Sequence, residues 1–238
     1  MAAYEEFARS YDAVNGDPVE RSRQILENLA RYHPRAESLL ELGCGTGAIL
    51  AGLGSGLSLT GIDLSEQMLA FARRRCPYAR LFRLDMTTFS LAERFDAVVC
   101  VFDTLNHVTT IEGWISTFSR VAEHLKEGGL FIFDVNTVGR LHQLGESAPW
   151  VHDFDGHTLI MDVQYDGTSL SEWDIRIFER TAQHRFTLHH ERITELGVAL
   201  GQLRQALDDD FELLEECDPE GNPPDDESRR AYFVYRCR

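Results

Sequence analysis

The segment Glu41-Leu42-Gly43-Cys44-Gly45-Thr46-Gly47 sets three glycines at alternate positions behind a carboxylate. Glycines permit backbone angles that other residues resist, and they let the main chain come close to a ligand. Asp63, twenty residues beyond Gly43, ends one short apolar run, and Asp85 ends the next. A carboxylate placed like Asp63 can accept both hydrogen bonds of a ribose diol. A dinucleotide fingerprint reads G-x-G-x-x-G. Here the spacing is G-x-G-x-G, which argues against a pyrophosphate and so against a nicotinamide-dependent oxidoreductase. Glu41, Asp63 and Asp85, at three successive strand ends beside one glycine bend, point to a nucleoside site.

A second set of polar residues follows the next two apolar runs. Asp103, Asn106 and His107 come after the fourth, and Asn136 after the fifth. These are the candidates for touching a second substrate, with His107 as the candidate base and Asp103 as a group that attracts an ammonium. Plainer readings stand beside them. A loop histidine more often only hydrogen-bonds, Met68 at helical spacing can be core, and Asp85 can merely cap a turn. Cys44 reads as a small filler whose backbone alone matters. Further on, Arg185, His189 and His190 share one strand, and alternation puts the two histidines on opposite faces. Trp150 and Trp173 can line an acceptor pocket or an aromatic core. No metal site is expected, because His and carboxylates are scattered without a recurring ligand spacing.

The elements that must position these residues alternate. Helical spacing covers 4–14 and 19–32. A strand at 38–42 runs into the glycines and a short helix reaches about Leu53. Strand 57–62 leads to Asp63, and Ser65 caps a helix over 66–75. Strand 80–84 leads to Asp85. Residues 95–101 form a continuous apolar strand, typical of one buried on both faces of a parallel sheet. Helix 111–125 is expected to close at Gly128-Gly129, with strand 130–135 after it. This order implies right-handed crossovers and helices on both faces. Period-two segments at 158–165, 170–178 and 185–193, with a turn at Asp166-Gly167, read as an antiparallel insertion. Helical spacing returns over 194–207, and strands at 211–217 and 231–237 flank an acidic, Pro-rich loop.

The chain has 238 residues, 43% hydrophobic, which suits one large domain with an insertion. Its 23 Lys and Arg against 39 Asp and Glu give a net charge of -16. Nucleic-acid binding draws on cations that neutralise phosphates, and the one short basic run, Arg73-Arg74-Arg75, suits a helix C-terminus. Nucleic-acid and membrane partners are therefore not expected, and a neutral or cationic substrate is the easier one to accommodate. Five cysteines without a C-x-x-C pair suggest reduced thiols and a cytoplasmic location. No apolar stretch approaches a membrane span. Either a monomer or a homodimer is compatible with the sequence.

The blocks ELGCGTG, GIDLSEQML, LDM and FDAVVCVFDTLNHV, in that order over roughly residues 38–136, resemble the motif set of class I S-adenosylmethionine-dependent methyltransferases. The N-terminal YEEFARSYD and the late β insertion resemble the branch that N-methylates amino sugars and other small amines. The resemblance implies an α/β, Rossmann-like seven-stranded, mostly parallel sheet with a reversed final strand. It implies an N-terminal helical lid (1–35), a core (36–149 and 194–238) and an antiparallel insertion (150–193) over the active site. It also implies S-adenosyl-L-methionine as cofactor. Gly43, Cys44 and Gly45 would line its methionine portion, with Glu41 shaping the loop. Asp63 would hold the ribose, Leu64 and Met68 would cover the adenine, and Asp85 and the Met86 amide would bind its edge. The Phe102 carbonyl would receive the cofactor ammonium, and Tyr11 would close over its carboxylate or act in catalysis. The expected reaction is in-line methyl transfer to a small-molecule acceptor, an amine nitrogen first. O-methylation, protein methylation and a non-catalytic binding protein are the alternatives.

Overall fold

The computed structural model describes residues 11–15, 18–182 and 185–238. Most of the helix expected over 4–14 lies outside them. What remains of it, α1 (Tyr11–Asn15), precedes α2 (Val19–Tyr32). Then come β1 (Ser38–Leu42), α3 (Ala48–Leu53), β2 (Ser58–Asp63), α4 (Glu66–Arg75) and β3 (Arg80–Arg83). They are followed by β4 (Phe95–Cys100), α5 (Ile111–His124), β5 (Leu125–Val135) and α6 (Val138–Gly145). An outer hairpin array comprises β6 (Trp150–Phe154), β7 (His157–Tyr165), β8 (Leu170–Ala182) and β9 (Arg185–Leu196). The chain closes with α7 (Leu200–Leu207), β10 (Phe211–Cys217) and β11 (Ala231–Cys237).

The main sheet has seven strands in the order β10-β11-β5-β4-β1-β2-β3. β1 pairs in parallel with β2 and β4, whereas β11 runs antiparallel to β5. One face packs on α5 and α7 through Trp114, Phe118, Phe131, Phe133 and Leu203. The other packs on α2 and α3 through Ile25, Leu29, Ile49 and Leu50. Every residue of β4 is buried, including Asp96, which bonds Lys126, and this explains why the rest of the strand is apolar. Helix starts are set locally: Ser65 Oγ accepts from the Met68 amide, and Thr110 Oγ1 from the Gly113 amide. The second sheet, β6-β7-β8-β9, is wholly antiparallel.

Two expectations need correction, and two elements add to them. Gly128-Gly129 does not close α5. That helix stops at His124, with the Leu125 amide bonded to the Val121 carbonyl, and β5 begins at once. Gly128 (φ +74°) instead serves an irregularity in β5, where pairing with β4 jumps from Phe95↔Leu125 to Ala97↔Leu130. Residues 194–196 are strand, not helix, because Thr194, Glu195 and Leu196 continue the ladder against Glu172, Ser171 and Leu170. The helix starts at Leu200, after Gly197. Finally, β6 and α6 were not expected. The exposure of Trp150 and Val151 leaves β6 without a clean inward alternation. No helix among the described residues is long and apolar enough to cross a membrane.

Candidate active site

The site lies at the carboxyl ends of β1, β2 and β4, where an open α/β sheet leaves a crevice. The chain leaves β1 through Gly43, Gly45 and Gly47, all at positive φ (+65°, +51° and +75°). At Gly43 an added Cβ would lie 2.2 Å from Thr104 Cγ2, so the bend packs directly on the turn after β4. At Gly45 it would meet nothing within 4 Å, so this backbone faces open space. Asp63 braces the bend: Oδ2 accepts from the Gly45 amide and Oδ1 from the Ser65 amide, each at 2.8 Å. Cys44 is buried against Gly61, where a Cβ would come within 2.8 Å of its sulfur. Burial pushes its thiol well up, as suits a filler.

Three hollows meet here. One, of about 100 Å³, is walled by Gly43, Gly45, Asp63, Leu64, Met68 and Met86, with His107 at its rim. A smaller one of about 50 Å³ adjoins Glu41, Cys44 and Thr46. The largest, about 850 Å³, opens under the outer sheet. Tyr11 and Phe102 line all three and so stand at their junction. α1 is tied to the glycine bend by Thr46 Oγ1 donating to Asp12 Oδ1 (2.7 Å) and by Arg75, which contacts both Asp12 and Thr46. Arg75 therefore does more than end its helix. Asp85 lines none of these hollows; its Oδ1 accepts from the amide and hydroxyl of Thr87, the capping role.

Glu41 is buried, and its Oε2 has no hydrogen-bond partner among the described residues. Burial and then the Asp63 charge push its carboxyl well up. An orphaned acid, open space over Gly45, a braced carboxylate and apolar walls fit an adenosyl group with a cationic amino-acid tail. That is what S-adenosylmethionine presents.

On the acceptor side, Phe102 (φ +60°) and Asp103 (φ +51°) are consecutive left-handed residues, an arrangement that costs energy without glycine. Asp134, fully buried in β5, holds both: Oδ2 accepts from the Phe102 amide (3.1 Å) and Oδ1 from the Asp103 amide (2.9 Å). Arg230 bonds Asp134 Oδ1 (2.7 Å), Asp103 Oδ1 (2.5 Å) and Asn136 Oδ1 (3.2 Å). Asp103 and Asn136 line the large hollow. Asn106 does not. It is fully buried, with Nδ2 donating to the Asn136 and Leu196 carbonyls (both 2.9 Å) and Oδ1 accepting from the Asn136 amide (3.0 Å). It staples the site together rather than meeting an acceptor. His107 faces the donor pocket and hydrogen-bonds the backbone at Thr194, and burial pulls its pKa down. His189 and His190 bond Glu179 and Asp174 along the outer sheet and line none of the hollows.

Sequence reasoning missed Asp134, Glu195, Arg140 and Arg230. Glu195 fell in a segment taken as helix. Asp134 carried a signal, a lone acid inside the apolar run LFIFDV. The acidity of the chain does not extend to the large hollow, which Arg140, Arg229 and Arg230 line against Asp103 and Glu195. Arg140 makes no side-chain hydrogen bond or ion pair among the described residues. Burial and the neighbouring Arg229 and Arg230 pull its pKa down.

Residues 39–129 match a family model described as a methyltransferase domain. A Geobacillus relative, 29% identical over 97% of this chain and 98% of its own, is named as a methyltransferase without a stated acceptor. A Streptomyces fradiae enzyme named dTDP-3-amino-3,6-dideoxy-alpha-D-glucopyranose N,N-dimethyltransferase is 38% identical, over 54% of this chain and 52% of its own. A Clostridium acetobutylicum S-adenosylmethionine-dependent methyltransferase superposes with a TM-score of 0.87 at 24% identity, covering 98% of both chains. Residues 39–129 thus match a methyltransferase domain, and the chain resembles a relative named as a methyltransferase over nearly its full length. In this methyltransferase the matched domain ends inside β5, so Arg140, Glu195 and Arg230 lie outside it. Apart from Phe102 and Asp103, the large hollow is lined by residues that the family model does not span.

Proposed function

We propose that this methyltransferase transfers a methyl group from S-adenosylmethionine to an amine nitrogen of a small molecule, releasing S-adenosylhomocysteine. The observation that carries this reading is the junction at Tyr11 and Phe102. There the pocket walled by Asp63, Leu64 and Met68 adjoins a far larger hollow that presents Asp103 and Glu195. The bound donor supplies a sulfonium methyl and its own leaving group, so the protein is left to align, exclude water and manage one proton. Glu41, the glycine bend and Asp63 bind the donor; Leu64, Met68 and Met86 cover its base. Phe102, fixed by Asp134, offers its carbonyl to the donor ammonium, while Tyr11 shields the junction.

The hollow suits an amine carried on a larger polar molecule. Its volume of about 850 Å³ falls within the range of drug-sized ligand pockets. Trp150, Trp173 and Tyr232 offer flat apolar faces, and Arg140 offers a cation in want of an anion. An amino sugar linked to a nucleotide has all these features, and relatives with names of that kind support the choice. The test is a screen with methyl-labelled donor against free and nucleotide-linked amino sugars, simple amines, alcohols and thiols. Label on nitrogen is the expected result; label on oxygen or sulfur, or on no acceptor, sinks the proposal.

A further inference from the structure

Glu195, 1% exposed, sits at the inner end of β9 and reaches across from the outer sheet to Asp103 beside β4. Each presents an oxygen within 4.8 Å of the other and of a His107 ring nitrogen. Two carboxylates this close do not both keep their charge. The neighbours say where the proton sits. Asp103 Oδ1 accepts from the Arg230 guanidinium at 2.5 Å, whereas Glu195 Oε2 accepts from the neutral Asn136 amide at 3.0 Å. Burial and then the Asp103 charge push the Glu195 carboxyl well up. The other groups facing the pair are His107 in the turn after β4, Tyr11 on α1, Arg140 on α6 and, behind Arg230, Asp134 on β5. The same spacing would admit a divalent cation, but Arg230 already lies against Asp103.

Resting on the amine reading above, we infer that Asp103 and Glu195 share one proton at rest, and that Glu195, once ionised, takes the proton the acceptor nitrogen sheds before it is methylated. The acceptor docks as R–NH3+ against the two carboxylates. One N–H bond breaks and its proton joins a Glu195 oxygen. The freed lone pair forms the new N–C bond to the methyl carbon, and the C–S bond breaks with its electron pair left on sulfur. The product leaves as R–NH2+–CH3. The pair is back in its resting state, and the open hollow returns that proton to water before the next turnover. A base whose pKa is raised toward the working pH is suited to this step.

Infrared difference spectroscopy tests the shared proton without any acceptor. The wild-type protein should show the carbonyl stretch of a protonated carboxylic acid at neutral pH that is absent in Glu195→Gln. Asp103→Asn, which keeps the shape, should shift that band and serves as the second variant if Glu195→Gln does not fold. No such band, or an unchanged one in both variants, overturns the inference. The amine that turns over in the screen then gives the pH profile. Glu195→Gln should lower kcat by about 10²-fold, in line with the loss of a general base. It should also move the rising limb of kcat/KM to higher pH and leave the KM for S-adenosylmethionine unchanged. A wild-type rate and profile in that variant overturns the role. Loss of donor binding as seen by calorimetry would instead count against the proposed function itself.

Discussion

Asp134 Oδ1 lies 2.9 Å from the backbone nitrogen of Asp103 and holds that residue in a left-handed conformation. The same carboxylate holds Phe102, so one buried acid fixes both the donor side and the acceptor side of the junction. Replacing it with Asn leaves one acceptor oxygen and turns an NH2 toward a backbone N–H. Loss of a charged hydrogen bond costs about 1.5–3 kcal/mol. Asp134→Asn should therefore lower Tm by roughly 5–10 °C and weaken S-adenosylhomocysteine binding. Adding Phe102→Gly, which relieves one left-handed side chain, should restore part of the Tm. No recovery in the double variant would show that strain at Phe102 is not what Asp134 opposes.

Asp63 has two duties, and its removal should show both. Asp63→Ala takes a charged acceptor from the donor ribose, so affinity for S-adenosylhomocysteine by calorimetry should fall roughly tenfold or more. It also strips the Gly45 and Ser65 amides of their acceptor, so thermal stability should drop as well. Unchanged affinity would refute the placement of the ribose.

Glu41 makes donor binding pH-dependent. Its folded pKa is raised, so the folded state binds this proton more tightly than the unfolded chain. The associated stability is complete below the unfolded carboxylate value of about 4.3 and declines as pH rises toward the folded pKa. A cationic donor beside Oε2 favours the ionised form. Binding S-adenosylmethionine should release protons, read as a dependence of the calorimetric heat on buffer ionisation enthalpy. Glu41→Gln should abolish that dependence, and a wild type without it would contradict the assignment.

Arg140 carries a charge with no partner among the described residues, in a partly buried setting. Removing it should not destabilise the fold, so the Tm of Arg140→Gln should equal or exceed the wild-type value. The KM for a phosphate-bearing amine should rise at least about tenfold, by analogy with other lost charged hydrogen bonds. The KM for a neutral amine should stay the same. Equal effects on both amines would remove Arg140 from acceptor recognition.

The glycine bend and its Asp63 brace were legible in the sequence because they are local. Gly43, Gly45 and Asp63 belong to one β–turn–α unit and the strand beside it, and their spacing encodes their geometry. The acceptor half was not, because it is assembled over long separations. Asp103 meets Arg230 across 127 positions, and Asn136 meets Glu195 across 59. Nothing local marks such pairs. Asn106 shows the opposite failure: a polar residue in the expected loop, yet consumed by three backbone bonds that only the folded chain reveals. Period-two patterning found β7, β8 and most of β9. It missed the last turn-ward residues of β9 because Thr194–Leu196 also satisfies helical spacing.

β9 runs without interruption from Arg185 to Leu196. At about 3.3 Å per residue, its tip stands roughly 33 Å from Glu195. The distal hairpin is thus a handle far from the chemistry, joined to it by a stiff ladder with β8. Loops of other length or composition grafted at that extremity should leave the proton-handling acid in register. Changes there are tolerated without reopening the core.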